Sequence, residues 1–322
     1  MAVDWPEMIN ADKPSLWKPD IERSVQLYNE WFLRFAPRAY RRTRKSSISQ
    51  VRRAFAVTRN LREINQHILA ARPAIISTLR MATSPPLARD RLAGLSGASK
   101  SLLETMENNL LPPRSSEDSL SGHLTRICEV VNLLMDRDLF PWIDQGGSVQ
   151  RRQLEIATSV VADRLSGAVA DPVIRNAQET HQLRNIGRYL LNLGYRKVDP
   201  ISVRNPLELR PGTFAFRLNL KVGKDTKVKL PIDAAIQPLQ ATTPALPLLI
   251  EAKSAGDYTN TNKRRKEEAT KNRQLSDAYG SQARLILFLR GYFDAGYLGY
   301  EAAEGLDWVW EHRIEDLRRA GI

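Results

Sequence analysis

The chain has 322 residues, 42% of them hydrophobic, with 48 Lys and Arg against 36 Asp and Glu and a formal net charge of +12. That length buries a sizeable core in one large or two medium domains. No apolar run reaches the roughly 18 residues that cross a bilayer, and the opening MAVDWPEMIN lacks the parts of a secretory signal, so a cytoplasmic protein without membrane contact is expected.

A single cysteine, Cys128, excludes an internal disulfide, and with the four scattered histidines it argues against a zinc or thiolate site. The cations are clustered. Arg34 to Arg62 holds ten Lys or Arg and no acid, whereas the first 32 residues hold six acids and three basic residues. Clustering of this kind points to a polyanion, nucleic acid above all, with a merely solvated basic face as the alternative. A basic membrane helix fits less well, because the segment lacks a broad face of Leu, Phe and Trp.

In chain order, residues 15 to 110 read mostly as helices, with apolar positions recurring at three and four in IERSVQLYNEWFLRF and NLREINQHILAARPAIISTL. LPPRSSEDSLSG (111 to 122) reads as a surface loop and DQGGS (144 to 148) as a second break, with a helix over LTRICEVVNLLMDRDLF between them. Asp171 as N-cap and Pro172 at the first helical position predict a helix start, and Gly194 its end. Leu183, Ile186, Leu190 and Leu193 form the core stripe of that helix. One turn before them the stripe meets Glu179, a carboxylate where an apolar residue is expected. It either pairs with Arg175 at the edge of the core or serves a cation or a metal.

Strands follow. TFAFRLNLKV (213 to 222) alternates, GKDTK is a turn, and VKLPIDAAIQP (228 to 238) is the return strand of a hairpin. ALPLLIEAKS (245 to 254) is more continuously apolar and is expected at the centre of the sheet. NKRRKEEATKNRQLSDAYG then reads as a polar helix and ARLILFLRG as another buried strand. The order is helix, three strands, helix, strand.

Residues two apart on a strand share a face, so Glu251 and Lys253 project together. An E-x-K triplet alone is weak, but here it ends an apolar strand, and Asp233 ends the apolar part of the strand before. Two hard carboxylates suit Mg²⁺, which keeps several waters and completes its shell with a substrate phosphate; Mn²⁺ is expected to substitute. Such an ion acidifies a water and neutralises charge on a phosphoryl transition state, while Lys253 holds or helps deprotonate that water. Glu179 would add a third carboxylate through the water shell. The competing reading of Asp233, Glu251 and Lys253 is a buried ion pair without chemistry.

With this order of elements, PID (231 to 233) followed by EAK (251 to 253) resembles the core of the PD-(D/E)xK nuclease superfamily. The stretch ADRLSGAVADPVIRNAQETHQLRNIGRYLLNLGYRKV (162 to 198), together with that core, resembles the XamI-type restriction endonucleases. The resemblance is specific over residues 160 to 290. It implies an α+β protein in which a helical N-terminal region precedes an αβββαβ nuclease core with a mixed central sheet. It also implies that Asp233 and Glu251 are metal ligands, that Lys253 is the catalytic lysine, and that Glu179 is a helix carboxylate of the site. Pro231 and Asp233 are separated by Ile232, whereas the superfamily's nominal Pro and Asp are adjacent.

Residues 1–150 are therefore read as a mostly helical, basic, DNA-contacting region and 151–322 as the nuclease domain. Two DNA-contacting surfaces are expected. One is Arg41, Arg42, Arg44, Lys45, Arg52 and Arg53. The other is the polar helix, with Lys263, Arg264, Arg265, Lys266, Lys271, Asn272, Arg273 and Gln274, cations for phosphates and amides or guanidinium groups for base edges. The reading as a whole is a type II restriction endonuclease acting on double-stranded DNA as a homodimer, with a companion DNA methyltransferase. The alternatives are a repair or junction nuclease on the same core and a non-catalytic DNA-binding protein.

Overall fold

The computed structural model describes residues 8–112, 117–145, 147–203, 205–223, 228–241, 245–259, 261–280 and 283–322, without the side chains of 117 and 262–264. They group into two compact units: residues 36–173, and residues 1–35 with 174–322. These divisions fall inside two long helices, α1 (Pro14–Val57) and α8 (Arg151–Asn192). The sequence reading placed its boundary at 150/151 and left the first 35 residues with the helical region.

The unit of residues 36–173 is helical. Between α1 and α8 lie α2 (Gln66–Ala71), α3 (Ile76–Met81), α4 (Arg89–Ser96), α5 (Lys100–Glu107), α6 (Glu117–Leu133) and α7 (Trp142–Gln145). Its core includes Phe55, Leu79, Leu103, Ile127, Phe140 and Val161. At its edge, buried Arg80 and half-exposed Arg89 both pair with Glu107. The expected loop at 111–122 is shorter than predicted, because α6 already begins at Glu117; residues 113–116 lie outside the described ones.

The expected helix start at Asp171–Pro172 is not one. α8 runs through Pro172, which removes one backbone hydrogen bond from a helix of 42 residues without ending it. The division between the units falls beside it, after Val173. At the other end, Gly194 at φ +88° terminates α8 as the sequence indicated.

The unit of residues 1–35 and 174–322 is built on a sheet. Its described strands are β1 (Arg196–Lys197), β2 (Thr213–Val222), β3 (Val228–Ile236), β4 (Leu248–Ala255), β5 (Leu285–Gly291) and β6 (Asp307–Trp310), hydrogen-bonded in that order. β2, β3 and β4 are antiparallel neighbours, whereas β1–β2, β4–β5 and β5–β6 are parallel. The sheet is therefore mixed, and β4 lies inside it. Helix α9 (Thr261–Tyr279) connects β4 to β5, and α10 (Ala295–Ala303) connects β5 to β6. The tip of the predicted hairpin, 224–227, lies outside the described residues.

Leu183, Ile186 and Leu190 of α8 pack on one face of the sheet with Phe214, Ala234, Ile250 and Phe288. Leu275 of α9 packs on the other with Leu218, Ile232, Ala235 and Leu249. Gly187 lets α8 come close, since a Cβ there would lie 3.3 Å from the Phe216 ring. At the end of β5, Gly291 has φ +98°, and a Cβ on it would lie 2.1 Å from the Ala255 carbonyl oxygen.

Gly291→Ala must therefore adopt a conformation that side chains resist and displace the end of β4. A loss of roughly 1–3 kcal/mol or more is expected from urea denaturation, and unchanged stability would refute the strain.

Candidate active site

The hairpin β2–β3 contains a discontinuity that the sequence conceals. In β2, Phe214 and Phe216 face α8, yet Leu218, Leu220 and Val222 belong to the opposite core; in β3, Ala234 and Ile236 face α8 while Ile232 does not. Both strands turn over at one level. The ladder pairs Phe216 with Ala234 and Leu218 with Ile232 but omits Arg217 and Asp233 between them. Arg217 sits at φ +57°, the left-handed region that residues with a Cβ seldom enter.

Asp233 is thereby released from regular pairing. Its Oδ2 accepts the Ala252 N–H at 2.8 Å, inserting the carboxylate between β3 and β4. The last β3–β4 pair is Ala234 with Ile250, so one step further Asp233 stands across from Glu251. Burial, then repulsion from Glu251, push the Asp233 carboxyl up to about 6, against the Ala252 N–H and Lys271, which pull it down. A buried carboxylate raised by a second one beside it marks a place short of positive charge.

Glu251 and Lys253 point toward α9, as their spacing requires. The Lys253 Nζ lies 3.1 Å from Glu251 Oε1 and 3.3 Å from Glu268 Oε1. Burial works against the ammonium, but Glu251 and Glu268 outweigh it and raise the Lys253 pKa, so it is charged at neutral pH. The other Glu251 oxygen accepts from Lys271 of α9. Glu268 is 1% exposed and accepts from the Tyr297 hydroxyl of α10. Behind it Glu301 is fully buried; burial, then the neighbouring Glu268, push its carboxyl up to about 9 and keep it protonated at neutral pH.

On the α8 side, Gln182 donates to the carbonyls of Lys253 (3.2 Å) and Phe288 (2.9 Å), tying the ends of β4 and β5 together. Glu179 pairs with Arg217 at 2.9 Å; its expected partner, Arg175, lies on the rim of the same cavity. That cavity, about 200 Å³, is also lined by Lys253. Lys253 likewise lines a second cavity of about 500 Å³ with Glu251, Glu268, Lys271 and Gln274. The lysine thus borders the space on both sides of the strand end.

Asp233, Glu251 and Lys253 are brought together; Glu179 remains at the rim. Among the described residues no group of three or more Asp, Glu, His or Cys is arranged for a metal ion. The two carboxylates across β3 and β4 nevertheless fit Mg²⁺, which takes one or two carboxylates, water and phosphate oxygens. Sequence reasoning missed Arg217, Glu268, Lys271 in this role, Tyr297 and Glu301. Glu268 carried a signal, an acid beside Ala269 on an otherwise polar helix, but its partner Tyr297 lies 29 residues further on.

The expected DNA-contacting residues divide. Arg41, Arg42, Arg44, Lys45, Arg52 and Arg53 are exposed on α1, with Arg44 3.7 Å from Asp163. On α9, Lys266, Arg273 and Gln274 are exposed. Lys271 turns into the site instead, Asn272 donates to the Glu304 carbonyl at 3.2 Å, and Arg265 stacks 4.9 Å over the Tyr300 ring. The side chains of Lys263 and Arg264 lie outside those described.

Comparison with known proteins bears on this arrangement. Residues 59–310 match the model of the XamI restriction endonuclease family. The type II restriction enzyme SalI of Streptomyces albus G is 57% identical over 315 residues, 98% of this chain and the whole of that protein. Among solved structures, protein VC1899 from Vibrio cholerae aligns over 85% of this chain and 57% of its own at 12% identity, with a TM-score of only 0.29. The family match and the full-length relative agree, and the chain belongs to the XamI restriction endonuclease family.

Proposed function

We propose that this protein is a type II restriction endonuclease that cuts both strands of duplex DNA at a defined sequence, with Asp233, Glu251 and Lys253 as its hydrolytic centre. The observation that supports the centre is the place of Asp233 across from Glu251, one step beyond the last β3–β4 pair, with the Lys253 ammonium 3.1 Å from that second carboxylate. The 57% identity to a type II restriction enzyme supports the reaction.

Each residue has a distinct task. Asp233 and Glu251 would hold Mg²⁺, or Mn²⁺ in its place, which when bound acidifies a water and offsets negative charge on the scissile phosphate. Lys253, whose ammonium Glu251 and Glu268 favour against burial, would orient the attacking water and stabilise a phosphate oxygen. Lys271 balances Glu251 until a cation arrives. Glu179, whose Oε1 Arg217 already holds, would act through water.

Exposed Lys266, Arg273 and Gln274 on α9 and the six basic residues of α1 supply phosphate contacts, whose strength falls steeply with salt. A homodimer would place one such centre on each strand of a palindromic site. The enzyme would work in the cytoplasm beside a methyltransferase that protects host DNA. No described helix is long and apolar enough to cross a membrane.

Digestion of plasmid DNA with Mg²⁺, followed by sequencing of the ends, is expected to give discrete fragments. A smear or a preference for branched DNA would move the protein to repair. Lys253→Ala should bind duplex DNA normally yet cleave about 10²–10³-fold more slowly. Asp233→Ala or Glu251→Ala that still cut at the wild-type rate would dismiss the centre.

The raised Asp233 pKa sets a second expectation. Below about 6 a proton occupies the carboxyl and must be displaced, so Mg²⁺ affinity should weaken, approaching about tenfold per pH unit. Calorimetric titration from about pH 5 to about pH 8 reads this, and a flat affinity would remove Asp233 from the ligand set.

A further inference from the structure

The Lys253 ammonium has three N–H groups. Its nitrogen forms ion pairs with Glu251, from its own strand, at 3.1 Å, and with Glu268, from α9, at 3.3 Å. Carboxylates from two elements confine the ammonium between them, and the 18% of the side chain that is exposed borders the two cavities at the strand end. Where the Lys253 ammonium stands is therefore set in part by Glu268.

Glu268 is well held for that purpose. At 1% exposure it cannot meet DNA or bulk ions, which separates it from Glu251 and Asp233. Its second oxygen accepts from the Tyr297 hydroxyl, itself on a fully buried ring packed against Phe293. A carboxylate buried this deeply is costly unless it is compensated, and here the compensation comes from the Lys253 ammonium of β4 and the Tyr297 hydroxyl of α10. An ion pair needed only for stability could have been replaced by apolar packing at little cost.

We propose that Glu268, braced by Tyr297, is a positioning residue that aims the Lys253 ammonium at the scissile phosphate, making the pair Glu268–Tyr297 part of the catalytic machinery of this nuclease. The proposal rests on the reading of Lys253 as the residue that meets the phosphate.

The test uses the full-length enzyme. Glu268→Gln keeps the shape and removes the charge; single-turnover cleavage of a duplex carrying the site should slow roughly a hundredfold, the cost of a misplaced group. Duplex affinity measured with Ca²⁺, well below the variant's thermal midpoint, should stay as in the wild type. In the Lys253→Ala background, read with excess enzyme over long times, the same change should slow cleavage no further, since both substitutions remove one device.

A Glu268→Gln enzyme that cuts within twofold of the wild type while Lys253→Ala is slow would overturn the proposal and leave the hydrolytic centre standing. Lys253→Ala at the wild-type rate would instead remove the centre itself. Additive losses in the double variant, or a loss of DNA affinity with an unchanged cleavage rate, also overturn it. If Glu268→Gln fails to fold, Tyr297→Phe and Glu268→Asp decide: slowed cleavage at unchanged affinity in either supports the proposal, and wild-type rates in both reject it.

Discussion

Charge cannot be left unpaired away from water, and the end of β4 is organised by that requirement. Glu251 and Glu268 are two negative groups, Lys253 and Lys271 two positive ones, joined as Lys271–Glu251–Lys253–Glu268. Two signs cancel. Asp233 is the carboxylate left over, raised first by burial and then by Glu251. Glu301 avoids the same penalty by keeping its proton. The centre is thus balanced to within one negative group, which is the condition under which a divalent ion gains most from entering.

The second constraint is geometric. Asp233 could not reach Ala252 N–H from a regular ladder, where its own backbone would pair across to β2. The turnover at Arg217 breaks that pairing in both strands at one level, and the strain of a left-handed arginine is spent at the place where a carboxylate has to leave the sheet. Arg217 is used twice, since its guanidinium also holds Glu179. The carboxylate on the helix and the carboxylate on the strand are consequently set by the same residue.

Much of this was legible in the sequence, and the failures have a common cause. β2 coincides with its predicted run, β3, α9 and β5 lie within a residue or two of theirs, β4 begins three residues later than expected, and its interior place followed from its continuous apolar run. Period-two and period-3.6 patterns are local, so they survive without tertiary information. The turnover does not: Phe214, Phe216, Leu218, Leu220 and Val222 alternate without a fault, and nothing in that string says that the face changes at Arg217. Pro172 misled for the opposite reason, being a strong local signal overruled by the helix around it. β6 and α10 passed unread, and with them Tyr297 and Glu301. Their importance lies in what they touch, which no spacing rule reports.

α9 shows how a helix without an apolar stripe can still be fixed. Only Ala269 and Leu275 are buried hydrophobics on it, far less than a helix of 19 residues normally lays on a sheet. Its inner face is instead charged: Lys271 reaches Glu251, Glu268 reaches Lys253, Asn272 and Arg265 close on Glu304 and Tyr300. Polar contacts are directional where apolar ones are not, so the helix is registered against the strand end residue by residue rather than merely pressed onto it. The same helix exposes Lys266, Arg273 and Gln274 to solvent. These exposed polar residues are thereby tied through a single element to the ammonium and carboxylates at the strand end. The polarity that makes α9 look like a solvated helix in the sequence is what couples its two faces.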